Sequence, residues 1–192
     1  GKINNKKISL SKNEIDNLIN ENISKLNIDK IEFKSDNSFS FNIDKKLKFK
    51  NLKIKSYLEM KNLVFFENTY LRQFFPEIKD SIILKDHKIN LDFKKDFFTI
   101  KGSGKFFINE EDKIEYEIIK KAKNINFIST LLITKNRFNL DLLNYQKKKE
   151  SNLSIQIDGN TNKKKEIVFK KISLKEEENN IHIQNLVLTN NR

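Results

Sequence analysis

The 192 residues contain no cysteine, no tryptophan, one proline and only four glycines. Without cysteine there can be no disulfide and no thiolate-bound metal. The acyl-acceptor cysteine of a lipoprotein is missing from this stretch for the same reason. Long apolar runs are also lacking: nothing approaches the ~20 residues that a helix needs to cross a bilayer, and the start lacks the charged, apolar and small succession of a signal peptide. The chain opens at Gly1 rather than methionine. We therefore read it as a piece of a longer protein, with any membrane anchor or export signal outside it. Arginine is scarce, occurring only at Arg72, Arg137 and Arg192. The excess of 38 Lys+Arg over 26 Asp+Glu, a formal charge of +12 with pI near 9.6, is thus almost entirely lysine. Asparagine, isoleucine and phenylalanine abound beside it, all with A/T-rich codons, so base composition accounts for much of the basicity. Specific nucleic-acid binding leans on bidentate arginines or base-stacking modules, and neither is evident here, so we expect no nucleic-acid partner.

Catalytic material is sparse. Neither His87, in the turn "KDHK", nor His182, projecting from the polar face between Ile181 and Ile183, has a nucleophile or metal-ligand spacing beside it. Glu110, Glu111 and Asp112 lack the spaced oxygens of a calcium loop and read as a solvated hairpin turn. Gly102, Ser103 and Gly104 lie between two expected strands rather than between a strand and a helix, which predicts a tight turn or bulge, not a phosphate loop. The lysine runs 147–149 and 163–165 read as solvated loops, a row of which could rest against lipid headgroups. No enzyme and no cofactor are expected.

What the chain does have is alternation. In "INLDFKKDFFTIKGSGKFFINEEDKIEYEI", Ile89, Leu91 and Phe93 alternate with polar residues, as do Ile114, Tyr116 and Ile118. This is the signature of half-buried antiparallel strands. It runs from Ile28 onward and predicts about fifteen short strands in a meander, joined by turns rich in Asn, Asp, Lys and Gly. Between Phe49 and Leu52 the phase slips by one residue, so a turn or bulge belongs at Lys50 and Asn51. Earlier, Ile15, Leu18, Ile19, Ile23 and Leu26 fall at helical spacing behind the capping pair Ser11 and Glu14, predicting an amphipathic helix over 12–26. Around Tyr70, Leu71, Phe74 and Phe75 one or two helical turns should stop before Pro76. That segment, 66–80, is the candidate internal junction in an otherwise single β-rich unit of 1–192.

Some layer must cover the apolar face. About fifteen strands at ~4.8 Å would make a sheet roughly 70 Å across, and sheets of that size curl or split. A sandwich is favoured on physics alone because it needs no ligand. A membrane barrel would need spans of about 9–11 alternating residues, longer than most of the strands expected here. The third solution is an open trough whose lining is covered by something other than protein.

The succession from "FFPEIKDSIILKDHKINLDFKKDFF" through "LDLLNYQKKKESNLSIQIDG" to "ISLKEEENNIHIQNLVL" resembles the AsmA-like repeat proteins of Gram-negative bacteria. In particular it is similar to the large inner-membrane-anchored members that cross the periplasm. The resemblance is one of pattern and covers roughly 47–188, leaving out the helix at 12–26. It implies a mainly β fold, a long antiparallel meander curled into a taco-like groove along which phospholipids pass between inner and outer membranes. It implies a periplasmic location, an inner-membrane anchor outside this segment and outer-membrane partners. The implied lining is Phe39, Phe41, Phe49, Ile54, Leu91, Phe93, Ile100, Phe106, Tyr116, Ile118, Leu140, Leu142, Ile155, Ile157, Phe169, Ile183 and Leu188, whose role is solvation of acyl chains. The competing expectation is a structural or adhesive β-sandwich or solenoid module of a surface protein, carrying no lipid.

Overall fold

Alternating patterns become strands almost throughout. The computed structural model describes residues 1–18, 28–66, 71–78, 81–148, 150–161 and 166–188. The elements are β1 (Lys2–Ser11), α1 (Lys12–Leu18), β2 (Ile28–Ile43), β3 (Phe49–Phe66), β4 (Ser81–Lys94), β5 (Phe97–Phe107), β6 (Glu111–Lys121) and β7 (Asn124–Ile133), then the short β8 (Asn139–Leu140) and β9 (Tyr145–Gln146), and finally β10 (Leu153–Thr161), β11 (Ile167–Glu176) and β12 (Asn179–Leu188). The ten long strands form one antiparallel sheet in the order β1-β2-β3-β4-β5-β6-β7-β10-β11-β12, with β1 and β12 at its open edges. Among the described residues only β8 and β9 lie outside it, paired with each other.

The strands are fewer and longer than the alternation suggested, because bulges carry the chain through phase slips that read as turns. Asn51 takes a left-handed φ of 55° inside β3, where the register against β2 shifts between Ser40 and Asn42. The expected slip is there, as a bulge in one 18-residue strand. Asp86 (φ 53°) does the same in β4, so "KDHK" is a bulge within a strand, not a turn, and His87 is strand. Opposite it, Gly102, Ser103 and Gly104 are ordinary extended residues in the middle of β5. The bulge expected near them belongs to the partner strand.

At the start, β1 was not anticipated: Lys2–Ser11 pairs with β2 over Ser38 to Lys30 and so becomes a sheet edge. A seven-residue helix is present over Lys12–Leu18, within the span of the longer one predicted, with the Ser11 backbone N–H and hydroxyl both donating to Glu14 Oε2 at 2.8 and 2.7 Å. Residues 19–27 lie outside the described ones. Leu71–Gln73 forms a single 3-10 turn and the chain reverses past Pro76; Tyr70 is outside the described residues. After this segment, β4 pairs directly with β3. The expected strand over 137–145 is instead a strap, residues 134–152, that leaves the sheet after β7 and returns as β10.

Candidate functional site, an apolar face sealed at one end

Residues opposite one another in an antiparallel ladder project from the same face. One such row crosses all ten strands: Ile3, Asn37, Ser56, Leu91, Ile100, Ile118, Phe127, Gly159, Phe169 and Leu186. The neighbouring row on the other face reads Asn4, Asp36, Tyr57, Asn90, Lys101, Glu117, Ile128, Asp158, Lys171 and Gln184. One side is thus mostly apolar and the other mostly polar from edge to edge. Ion pairs such as Lys34–Glu59 (2.6 Å) and Lys101–Glu117 (3.1 Å) lie on the polar side. A hollow of about 830 Å³ also opens there, lined by Asn4, Asp36, Tyr57, Asn90 and Lys101 among others.

Two excursions seal one end of the apolar face. Phe74, Phe75 and Ile78 from residues 71–78, and Phe138, Leu140 and Tyr145 from the strap, pack over Ile82, Phe106, Ile133, Leu153, Ile155 and Leu174 of the sheet. The excursions also hold each other: the rings of Phe74 and Phe138 stack at 6.1 Å, and Asn139 N–H donates to the Phe74 carbonyl at 2.9 Å.

Two buried carboxylates pin the strap. Asp112 accepts from the N–H and hydroxyl of Thr134 (2.7 and 2.9 Å), from Lys135 N–H (3.1 Å), and from the N–H and Nδ2 of Asn136 (3.3 and 2.7 Å). Glu176 accepts from Lys148 N–H (2.8 Å), Tyr145 hydroxyl (3.0 Å) and the Ser151 hydroxyl. Burial opposes ionisation of Glu176, but these three donors outweigh it and hold its carboxyl below the ordinary 4.5. Tyr145 is pushed well above its usual range by burial and by the adjacent Glu176 charge. Asp112 is therefore a buried anchor and not the solvated turn expected of it. Lys147 departs from expectation in the same way: its ammonium is buried and donates to the carbonyls of Thr134 (3.0 Å) and Lys148 (3.2 Å). Lys149 and 163–165 lie outside the described residues.

In the middle of the face, His87 is 1% exposed. Its Nε2 lies 3.0 Å from the Lys105 carbonyl, and its Nδ1 3.3 Å from the Tyr116 hydroxyl. A carbonyl can only accept, so Nε2 carries the proton and Nδ1 accepts from the tyrosine. Burial pushes the pKa of His87 below 6.5. Both ring nitrogens are thus engaged in holding it in place. His182 lies on the polar side, with Nδ1 3.0 Å from Ser173 Oγ. Among the described residues no three His, Asp or Glu side chains come together as a metal site.

Beyond the excursions, the face continues to the other end of the sheet, where no described element lies over it. Phe39, Phe41 and Phe49 form a run of rings there, with centroids 6.1 and 4.8 Å apart, and Phe49 is 70% exposed. Of the lining residues expected, Ile54, Leu91, Phe93, Ile100, Tyr116, Ile118, Ile157, Phe169 and Ile183 sit half-buried on this face. Phe106 and Ile155 sit on it beneath the sealed end. Leu188 ends β12 opposite Ile167. Leu140 and Leu142 belong to the strap: Leu140 packs inward, while Leu142 is 87% exposed and away from the sheet. Leu140 pairs with Tyr145 in the small β8–β9 ladder and Leu142 lies in the turn between them, so their alternation belongs to an excursion outside the main sheet.

No family model matches this sequence, and no curated protein or solved structure proves similar to it. The sequence reading put His87 in a turn and Asp112 among solvated charges, read Leu47 as a strand residue alternating with Phe49 where the chain in fact turns, and passed over Glu176. The buried carboxylates carry no local signal, since their donors lie 22 to 31 residues away.

Proposed function

We propose that the apolar face shelters phospholipid acyl chains, and that the chain is a segment of a periplasmic, bridge-like lipid carrier anchored in the inner membrane by a part of the protein outside these residues. On this reading the sheet is curled into a groove, and lipid moves along it toward the outer membrane. The observation that carries the proposal is the apolar row unbroken over Leu91, Ile100, Ile118 and Phe127 on β4 to β7 and resumed at Phe169 and Leu186, with its unsealed end lined by aromatic and aliphatic side chains. Burial of Met60 and His87 in mid-sheet, where strand neighbours rather than a second sheet surround them, is what a curled face would produce. Each CH₂ sheltered gains about 0.8 kcal/mol wherever it sits, so a uniform lining favours sliding over trapping. Among the described residues no helix is long and apolar enough to cross a membrane.

A structural β-module without lipid draws on the sealed end, where protein covers the face as it would in a sandwich. Native mass spectrometry of the purified chain, with lipid extraction from the same sample, separates the two. Phe106 is unsuitable as the test position, because it is 4% exposed under the excursions and its loss would unfold either kind of protein. Phe93 and Ile118 lie in the unsealed part. Phospholipid that co-purifies with the wild type and is lost from a folded Phe93→Asp or Ile118→Asp variant supports the carrier. A folded wild type that holds no lipid and takes none from liposomes sinks it.

A further inference from the structure

In a meander, successive hairpins fall alternately at the two ends of the sheet. The hairpins β2–β3, β4–β5 and β6–β7 therefore share the unsealed end, and the connections β3–β4, β5–β6 and β11–β12 share the sealed one. The lysines gather at the first of these ends. Residues 44–50, 94–97 and 120–124 carry nine lysines against Asp44 and Asp96, whereas the sealed end exposes both signs, Arg72, Lys135, Arg137 and Lys148 beside Glu77, Glu110, Asp141, Glu150, Glu177 and Glu178. The lysines are interleaved with aromatic rings: Lys94 Nζ stands 4.7 Å from the centre of Phe97, and Lys120 Nζ 5.7 Å from that of Phe98.

The tip of the β2–β3 hairpin adds an independent feature. Asp44 shapes it, accepting from the N–H groups of Lys46 and Lys48 at 2.8 and 3.0 Å and pairing with Lys50 at 3.0 Å. The third residue of this loop must be left-handed, a position normally given to glycine or asparagine. Here it is Leu47, with φ 57° and 81% of its surface exposed. Of the nine non-glycine residues with positive φ among those described, Leu47 alone is large and apolar; the rest are Asn, Asp, Glu or Ala. Folding has no use for a strained leucine held out in water, which points to a partner that takes it. Ile43 and Phe49, paired across the hairpin, extend the same apolar tip.

The geometry points to an anionic lipid bilayer as that partner: the lysines of the unsealed end meet acidic headgroups while Leu47 and Phe49 enter the interface between headgroup and acyl chain. Apolar insertion and lysine attraction to acidic lipids are the two terms that hold peripheral proteins on membranes. The inference stands on this end of the sheet alone, whether or not the face itself carries lipid.

The chain has no tryptophan, so Leu47→Trp supplies a single-site reporter. It would be mixed with unilamellar vesicles of phosphatidylcholine alone, and of phosphatidylcholine with phosphatidylglycerol, some containing brominated acyl chains. The expected result is a blue shift and bromine quenching with the acidic vesicles only. The unmodified chain should co-sediment with those vesicles. Both Leu47→Ser with Phe49→Ser, and Lys45→Glu with Lys46→Glu and Lys48→Glu, should weaken that binding at least about tenfold. All these side chains are exposed, and far-ultraviolet circular dichroism checks that the variants fold. Water-like emission from Trp at position 47 on bound vesicles would overturn the inference, as would equal binding to neutral vesicles or undiminished binding by the folded variants. Retention on duplex DNA with none on vesicles would overturn it in favour of a nucleic-acid partner. Extracted lipid tests the carrier reading, and vesicle docking tests this one, so either can fail alone.

Discussion

The imidazole of His87 occupies the space that a side chain at position 104 would fill. The same relation recurs at every glycine of the chain, with Phe39 over Gly1, Tyr116 over Gly102 and Phe127 over Gly159. None of the four has a positive φ, so they serve as seats for rings rather than as hinges. Replacing Gly104 by alanine should force His87 off its bonds to Lys105 and Tyr116 and cost about 1–3 kcal/mol, read as a lowered urea midpoint at unchanged slope.

His87 also sets a pH dependence. Its folded pKa lies below the ordinary 6.5 because burial penalises the imidazolium, so the unfolded chain takes up the proton first. Its contribution is fully present above pH 6.5 and is lost as the pH falls from there toward the folded value. Urea midpoints should decline over that window in the wild type, and the decline should shrink in His87→Phe.

Glu176 acts at lower pH. Its folded pKa lies below 4.5, so its stabilisation is complete above that value and disappears as the pH drops through the folded one. Glu176→Ala leaves the Lys148 amide and the Tyr145 and Ser151 hydroxyls without their acceptor and should cost about 2–4 kcal/mol. Hydrogen exchange should show where: amides of the strap open first, while β4 and β5 keep their protection.

Leu47 should show a conflict between stability and docking. Leu47→Gly relieves the left-handed strain and should raise stability by about 0.5–1 kcal/mol. The same change should weaken vesicle binding, because it deletes the apolar tip.

Much of the sheet was legible because alternation is local: Leu91 and Phe93 announce their face within one strand. Bulges were legible only as slips. A residue such as Asp86, which reverses φ for one position and then lets the strand continue, looks the same in sequence as a turn that ends it. That is why β4 read as two strands and the count came out near fifteen. The strap was illegible for another reason. Leu140 and Leu142 alternate like strand residues, and contacts with distant residues, the bonds to Asp112 and Glu176 and the packing on Phe74, lay this stretch across the sheet instead of within it. The apolar residues at the unsealed end could be assigned to one face from sequence, whereas the sealing of the other end depended on contacts distant in the chain.

Each long strand pairs with its neighbours along the chain, and β1–β2, β3–β4 and β7–β10 must find each other across longer connections, of which the strap between β7 and β10 is the longest. Such an arrangement is nearly one-dimensional, with stability summed from one interface to the next. Hairpins can form in any order and zip sideways, and the β7–β10 seam, which must wait for the strap to be laid down, is the expected slow step of assembly. A sheet put together this way can vary in width at its β1 edge, whereas the β11–β12 hairpin is tied to the rest through Glu176 and the strap.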